Sequence, residues 1–310
     1  MNHFERRNFI KLSGIGLVAT ALWPVGVNGQ NNPKINKKAI PSTGELITVI
    51  GMGTWQTFNV GSDSELLKQR TSVLKTFFAE GGQMIDSSPM YGSSQSAVGY
   101  GLRQLGHPQQ LFSADKVWTR DGNATREQIS QSAGEWNRKH FDLMQVHNLL
   151  SWEPHLETLE AMKKAGEVRY IGITTSHGRR HTDLEKIMQS RNLDFVQLTY
   201  NMIDREVESR LLPLAKEKGI AVIANRPFQG GYLIDRLQRN KIPLPQWAGD
   251  IACVNWPQFL LKFIVSHPAV TCAIPATTRV EHMKENMGAA IGPIPDATMR
   301  RKMLDYIQRV

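Results

Sequence analysis

Two spacings of hydrophobic residues alternate along most of the chain. Short β-branched or apolar runs, typical of buried strands, are LITVIG, GQMIDS, LFSADKV, FDLMQVH, VRYIGIT, DFVQLTY, IAVIAN and VTCAIPA. Longer segments with helical spacing separate them, for example SELLKQRTSVLKTFFAEGG, HLETLEAMKKAGE and WPQFLLKFIVSHP, and several of these end in Gly or Pro, which stop helices. The pattern predicts eight strands, each followed by a helix.

This alternation indicates a parallel sheet whose faces are covered by helices. Eight strand–helix units in roughly 250 residues match a closed (β/α)8 barrel, whereas an open doubly wound sheet usually needs fewer. The first predicted strand continues into GMGTW, which lacks the third glycine of the dinucleotide-binding motif GxGxxG and does not open a helix. We therefore expect a single-domain α/β fold, a (β/α)8 barrel, over residues 39–310.

The first 38 residues follow a different pattern. The pair Arg6 and Arg7 precedes an apolar run that ends near Trp23, and small residues then lead into polar QNNPK. This is the layout of an export signal, and ERRNFIKL resembles the twin-arginine signal, which a receptor reads. The resemblance implies a signal peptide at 1–29, a linker at 30–38, passage through the twin-arginine translocation machinery, a periplasmic location and no stable membrane anchor after cleavage. The alternative is an uncleaved anchor with a basic start.

Charge and cysteine content narrow the class of partner. The net charge is +9, but part of the excess lies in the first 38 residues, so the predicted barrel is only mildly basic. Mild positive charge suits a small molecule that carries phosphate, whereas the long basic block with interleaved aromatics that suggests nucleic-acid binding is absent from the sequence. Cys253 and Cys272 are too few for a disulfide framework or a metal cluster, and we expect two buried apolar residues.

Chemically versatile side chains recur at the predicted carboxyl ends of neighbouring strands, where barrels of this kind carry their chemistry. Asp86, Lys116 and His147 end the second, third and fourth predicted strands, and Tyr91 follows in the loop after the second. Each alone has a structural explanation: a turn cap, a solvated charge, a core histidine or a loop aromatic. Together, at one edge of a barrel, they favour a single site.

These residue types support acid–base chemistry on a carbonyl group. A phenol, with a pKa near ~10, keeps its proton at neutral pH and can donate it to an oxygen that gains negative charge. An adjacent ammonium lowers the phenol pKa, a carboxylate holds the ammonium in place, and a histidine N–H can orient the carbonyl. The sequence offers no nucleophile paired with a base, so this set calls for hydride from a cofactor.

The chain from about residue 39 to 288 resembles the aldo-keto reductase family, (β/α)8 barrels that reduce carbonyls with nicotinamide cofactors. The matching segments follow in the family's order: IPSTGELITVIGMGTWQ, IDSSPMYGSSQSAVGYGLRQLG, SADKVW, LMQVHN, GEVRYIGIT, VQLTYN and HPAVTCAIPATTRVEHMKEN. The resemblance implies a catalytic tetrad in which Tyr91 is the general acid or base, with Asp86, Lys116 and His147. It also implies pocket residues, namely Trp55, Trp118, Met90 and Asn148.

The resemblance further implies a cofactor site. Its expected residues are Gly53, Thr54, Thr174, Thr175, Gln197, Arg226, Thr277, Arg279, Glu285 and Asn286. Asn225 stands where the family has a tyrosine that stacks on the nicotinamide, and Arg226 is expected to take over, since a guanidinium stacks on planar rings and binds phosphate. Because Arg279 can pair with a 2′-phosphate, we expect NADP, with NAD as the alternative.

The expected function is hydride transfer between NADP(H) and a small aldehyde, ketone or sugar. In the reverse reaction the corresponding alcohol is the substrate. Two alternatives stay open: an exported barrel that binds nicotinamide or a sugar ligand without turnover, and an enzyme whose cofactor does not exchange. The tail DATMRRKMLDYIQRV is expected to form an amphipathic helix that docks on the barrel.

Overall fold

The computed structural model describes residues 34–309. The expected signal peptide at 1–29 and the first residues of the expected linker lie outside this range. Inside it, no helix has both the length and the apolar character that crossing a membrane requires.

A short antiparallel hairpin precedes the barrel. Its strands are β1 (Lys37–Ala39) and β2 (Leu46–Thr48), and Gly44 in the connection adopts a φ of +77°, which glycine reaches without steric cost. Ile40 and Ile47 of this hairpin are buried in an apolar cluster with residues from the amino-terminal halves of the barrel strands. The hairpin therefore covers the amino-terminal end of the barrel interior.

The predicted strand LITVIG, residues 46–51, is a strand only in its first half, and the first barrel strand begins after it. Its first three residues form β2 in the hairpin, whereas the first barrel strand, β3, is only Met52–Gly53. Lys37 and Lys38, which were expected in the linker, are the first residues of β1. The chain is buried continuously from Ile47 to Met52, in the hairpin and in the barrel alike, so the apolar pattern does not show where the pairing partner changes.

Eight parallel strands form the barrel, as predicted. They are β3, β4 (Met84–Asp86), β5 (Phe112–Val117), β6 (Leu143–Val146), β7 (Tyr170–Thr174), β8 (Phe195–Thr199), β9 (Ala221–Asn225) and β10 (Val270–Ala273), paired in this order. The last strand returns to the chain before β3: Gly51 N–H donates to Ala273 O at 2.9 Å, and Ala273 N–H donates to Val49 O at 2.9 Å. The (β/α)8 barrel is confirmed.

The helices cover the outside of the strands. They are α1 (Ser64–Ala79), α2 (Ser94–Gln104), α3 (Thr125–Trp136), α4 (Trp152–Lys164), α5 (His181–Ser190), α6 (Leu211–Lys218), α7 (Tyr232–Arg239), α8 (Trp256–Val265), α9 (Val280–Gly288) and α10 (Ala297–Arg309). The helix predicted in the tail is α10. It docks on the barrel, since Met303 and Ile307 are buried and Arg300 donates to the Tyr200 hydroxyl at 2.7 Å.

Alternation along the strands decides which side chains point into the barrel. Met84 and Phe112 belong to the apolar cluster inside its amino-terminal half. Asp86 lies two residues after Met84 and Lys116 four residues after Phe112, so both share the inward face. Asp115 has the opposite parity and faces the helices. The inward face of the barrel thus changes from apolar to polar toward the carboxyl ends of the strands.

Candidate active site

A cleft of about 270 Å³ opens at the carboxyl ends of the strands. The expected site residues that line it are Gly53, Thr54, Trp55, Asp86, Met90, Tyr91, His147, Asn148, Thr174, Thr175, Gln197 and Arg226. The loop after β9 contributes one wall, which includes the two adjacent glycines Gly230 and Gly231. The structure therefore brings three members of the expected tetrad to one cavity, and the fourth lies directly beneath them.

That fourth member, Lys116, forms a buried ion pair with Asp86. The Lys116 ammonium donates to Asp86 Oδ2 at 2.5 Å and to Ser87 O at 2.7 Å, and neither charged side chain is more than 2% exposed. The other carboxylate oxygen, Oδ1, accepts from Gln197 Nε2 at 2.8 Å and from Gln145 Nε2 at 3.3 Å. Two amides and one ammonium thus satisfy the Asp86 carboxylate.

Tyr91 lies above this ion pair. It ends a single turn of 3₁₀ helix, Pro89–Tyr91, and the Lys116 ammonium is 5.1 Å from the centroid of its ring. Burial raises the pKa of the Tyr91 phenol, and the charge of Lys116 opposes this by stabilising the phenolate. Burial lowers the pKa of Lys116, but Asp86 and Tyr91 outweigh it and the net shift is upward. Both groups are therefore protonated at neutral pH.

His147 completes the group as a neutral imidazole. Its ring meets the Tyr91 ring edge-on, with centroids 5.6 Å apart, and burial together with the charge of Lys116 holds its pKa well below the ordinary value. His147 Nδ1 is 2.7 Å from Ser88 Oγ, which already accepts from Met90 N–H at 3.2 Å. The Ser88 hydroxyl proton is then free to go to Nδ1, and in that tautomer Nε2 carries the ring proton as a donor.

The wall formed by β7 and β9 has one unsatisfied polar atom. Thr175 is 3% exposed, and its Oγ1 has no hydrogen-bond partner within residues 34–309. Asn225, in contrast, is fully engaged: it accepts from Thr199 Oγ1 at 2.7 Å and donates to Thr175 O at 2.9 Å. A free buried hydroxyl on the cleft wall fits the carboxamide of a nicotinamide, which both donates and accepts.

Arg226 and Trp55 face each other across the cleft. The guanidinium carbon is 6.0 Å from the centroid of the indole ring, and Arg226 has a φ of 50° in the left-handed region. In the described part of the chain, Arg226 makes no ion pair with a carboxylate. Its side chain is therefore available to a phosphate or a planar ring.

The expected adenosine-side residues lie beyond the cleft. Thr277 and Asn286 are buried, whereas Arg279 is exposed at the N-cap of α9, where its backbone N–H donates to Thr277 Oγ1 at 3.2 Å. Glu285 is partly buried on α9. Ala276 lines the cleft, so the cavity reaches the segment that carries Thr277 and Arg279.

Trp118 does not line the cleft. Its side chain is 41% exposed after β5, and Gln128 of α3 fixes its backbone by accepting from Trp118 N–H at 2.6 Å and donating to Trp118 O at 3.0 Å. A contact between Trp118 and substrate therefore stays a prediction.

Four residues at or next to the site were missed at the sequence level: Gln145 and Ser88, described above, His177, and Asp115. His177 lines the cleft, and its pKa is lowered by partial burial and by Arg226 and Arg179. The strand pattern contained a signal for Gln145, which lies two residues before His147 on the same inward face.

Known proteins share this architecture. The model of the "Aldo/keto reductase family" matches residues 49–302. Methylglyoxal reductase YeaE of Escherichia coli is 25% identical over 87% of this chain and 95% of its own length, and the NADH-specific methylglyoxal reductase of the same organism is 24% identical over 88% and 100%. A Klebsiella pneumoniae aldo-keto reductase solved with NADPH superposes with a TM-score of 0.72 at 21% identity, covering 88% of this chain and 95% of that one.

The family model spans most of the chain and includes every strand of the barrel from β3 to β10. The resemblance expected from the sequence motifs and the expected enzyme class, an NAD(P)-dependent oxidoreductase, are both confirmed. The chain belongs to the aldo/keto reductase family.

Proposed function

We propose that this protein reduces a small aldehyde, ketone or sugar with hydride from NADPH, and that Tyr91 donates the proton. The observation that carries the proposal is the floor of the cleft. There a protonated phenol lies next to the buried Lys116–Asp86 ion pair and a neutral His147. The same groups run the reaction in reverse when an alcohol is bound.

Each side chain has a distinct task in this proposal. The Nε2–H of His147 orients the carbonyl oxygen toward the Tyr91 hydroxyl, which gives its proton to that oxygen as negative charge develops. Lys116 stabilises the phenolate that remains, and Asp86 holds the ammonium within reach of it. When bound, the reduced nicotinamide supplies the hydride for the carbonyl carbon.

The proposed cofactor site extends from the cleft to α9. Thr175 Oγ1 and the side chain of Gln197 are placed to hold the carboxamide, Arg226 to contact phosphate or ring, and exposed Arg279 to pair with a 2′-phosphate. The NADPH complex of the Klebsiella pneumoniae protein supports NADP as the cofactor. The NADH-specific relative keeps NAD as the alternative.

The cleft volume and the relatives support a small substrate. About 270 Å³ at the catalytic floor is shared by the reacting end of the cofactor and the substrate. Two Escherichia coli relatives are named methylglyoxal reductases. We therefore propose short aldehydes and ketoaldehydes as the first substrates to test.

The test uses the purified protein with NADPH or NADH and a panel of carbonyls that includes methylglyoxal, with loss of nicotinamide absorbance as the signal. Tyr91→Phe should lower kcat by roughly 10²–10⁴, the usual contribution of a positioned proton donor. Tyr100→Phe is the matched control, because no hydrogen bond of the Tyr100 hydroxyl is present in the described part of the chain. Equal turnover by the parent and Tyr91→Phe would refute the role of Tyr91. Bound dinucleotide without turnover of any carbonyl would favour a binding protein.

A tightly held cofactor is a second proposal, favoured by the approach of Arg226 to Trp55 across the cleft. A guanidinium that stacks and binds phosphate at this point would slow release of the dinucleotide. We expect Arg226→Ala to weaken NADPH affinity by about tenfold, the size of one lost charge-assisted contact, and Arg226→Lys to keep part of it. Titration of NADPH fluorescence checks this, and equal affinity of Arg226→Ala and the parent would exclude it.

Export to the periplasm also stays a proposal, supported by ERRNFIKL and its apolar continuation. The full chain expressed in a bacterium should be found in the periplasmic fraction. Replacing both Arg6 and Arg7 by Lys should keep it in the cytoplasm. An unchanged distribution would rule out the twin-arginine route.

A further inference from the structure

A buried carboxylate lies on the strand that carries the catalytic lysine. Asp115 is fully buried, and its parity on β5 places it on the outer face, between α2 and α3. Its Oδ1 accepts from the backbone N–H of Lys116 at 2.7 Å, and its Oδ2 accepts from Gln95 Nε2 at 2.6 Å. Gln95 Nε2 also donates to Ser132 Oγ at 2.9 Å, which holds the amide in place. The reaction proposed above gives Asp115 no task.

The charge of Asp115 is not neutralised locally. Within residues 34–309 it forms no salt bridge, and the helices packed against it present the uncharged side chains of Gln95 and Ser132. The charged groups that act on it are Lys116 on its own strand and Asp86 on β4. In a low-dielectric interior such a charge reaches the neighbouring tetrad. It adds to the upward shift of the Tyr91 pKa, after burial and Asp86, and to that of the Lys116 pKa, after Asp86 and Tyr91.

A polar cavity lies beside the two side chains that hold this carboxylate in place. It has a volume of about 320 Å³, lies between α2 and α3, and is lined by Gln95, Ser132 and Glu135 among others. Gln95 lines the cavity and donates to Asp115, so this one amide separates the carboxylate from the cavity. Burial raises the pKa of Asp115 to about 7, while Lys116 and the hydrogen bonds from Lys116 N–H and Gln95 oppose it. Asp115 is therefore negatively charged above neutral pH.

We propose that Asp115 is a positioning residue for the acid–base step, whose carboxylate charge acts on Lys116 and Tyr91 to keep the phenol protonated. The Lys116 N–H bond ties the carboxylate to the same residue that carries the catalytic ammonium. The consequence of this inference for catalysis rests on the proposed function. Carbonyl reduction needs the protonated phenol and alcohol oxidation needs the phenolate, so the charge of Asp115 extends the pH range of reduction upward and opposes oxidation.

The decisive measurement is the titration of Tyr91 by tyrosinate absorbance. In the parent, the Tyr91 signal is the absorbance of the parent minus that of Tyr91→Phe. In the variant, it is the absorbance of Asp115→Asn minus that of Asp115→Asn/Tyr91→Phe. Asparagine fits the site if the Gln95 amide flips, because Gln95 Oε1 can then accept from the new amide and from the Ser132 hydroxyl. Should that variant not fold, Asp115→Ser removes the same charge with a smaller side chain.

We expect the Tyr91 tyrosinate to appear at lower pH in Asp115→Asn, because an anion that disfavours the phenolate is gone. Asp115→Glu, which restores the charge, should return the titration toward the parent curve. The alkaline limb of the pH–rate profile of NADPH-dependent reduction should also move to lower pH. At the pH where the parent rate has fallen by half, the variant should be roughly twofold slower, as a shift of about half a pH unit requires.

Asp194→Asn is the matched control, since Asp194 is 2% exposed and bound to Ile171 N–H and Lys163 rather than near the tetrad. Coincident Tyr91 titrations in Asp115→Asn and the parent would overturn the inference, as would an equal shift in Asp194→Asn. The titration needs no turnover. A parent that reduces no carbonyl therefore counts against the proposed function alone.

Discussion

The buried ion pair of Lys116 and Asp86 makes the strongest prediction about stability. Lys116→Met keeps most of the length and apolar volume of the side chain but removes the ammonium that donates to Asp86 Oδ2 and Ser87 O. Asp86, which is 2% exposed, then keeps only the amides of Gln145 and Gln197 on its other oxygen. The variant leaves a carboxylate in the barrel with one oxygen unpaired and no counter-charge.

The expected loss in the free energy of unfolding is about 3–5 kcal/mol, the usual cost of removing one partner from a buried pair. With an unfolding entropy of about 2.1 cal/mol/K per residue over the chain, this lowers Tm by about 5–8 °C. Because the penalty comes from the stranded carboxylate, the double variant Lys116→Met/Asp86→Asn should regain at least half of the loss. Carbonyl reduction should be lost in both variants.

Circular dichroism melts at neutral pH measure the effect. Lys164→Met is the control, because Lys164 is exposed on α4 and such surface changes usually stay within about 0.5 kcal/mol. A melting temperature of Lys116→Met within about 1 °C of the parent would refute the reasoning from buried charge. A double variant as unstable as Lys116→Met would refute the role of the stranded carboxylate.

Two further predictions concern packing and pH. A Cβ on Gly99 of α2 would lie 1.9 Å from Glu135 O of α3, so Gly99→Ala should lower the free energy of unfolding by roughly 3 kcal/mol in a denaturant titration. Gly134→Ala is the control: a Cβ there meets open space, and the variant should gain about 0.5–1 kcal/mol. Similar values for the two variants would contradict the close contact. Burial, helped by Arg300, lowers the pKa of His267 to about 4. As pH falls, this histidine therefore takes up a proton in the unfolded chain before it does so in the folded one. The stability that His267 provides is complete above about pH 6.5 and is lost as pH falls toward 4. Between those two pH values the Tm of His267→Gln should therefore fall less than that of the parent. Equal falls would show that protonation of His267 does not destabilise the folded protein in acid.

The sequence predicted the barrel and the tetrad for a simple reason. Parallel strands that end together bring the residues at their carboxyl ends to one edge, so Asp86, Lys116 and His147 could be placed without any knowledge of contacts. Period-two alternation makes their inward direction readable as well. The pattern failed at LITVIG, because burial in the hairpin and burial in the barrel give the same apolar run.

Other features depended on partners that a sequence does not show. Asp115 stands beside Lys116 in the chain, but its role depends on Gln95 and Ser132 of two different helices. The replacement of the stacking tyrosine by Asn225 was visible, whereas its bonds to Thr199 and Thr175 were not. These contacts are long-range side-chain contacts, which hydrophobic periodicity does not encode.

The central claim is direct hydride transfer to a carbonyl with Tyr91 as the proton donor. The most direct measurement incubates the purified protein with NADPH deuterated at the transferable position and a panel of short aldehydes and ketoaldehydes, and follows the alcohol products by mass spectrometry. We predict one deuterium at the carbinol carbon of the product formed by the parent, and at least a hundredfold slower labelling by Tyr91→Phe. Absence of labelled alcohol from every carbonyl, or equal rates of labelling by parent and Tyr91→Phe, would contradict the account.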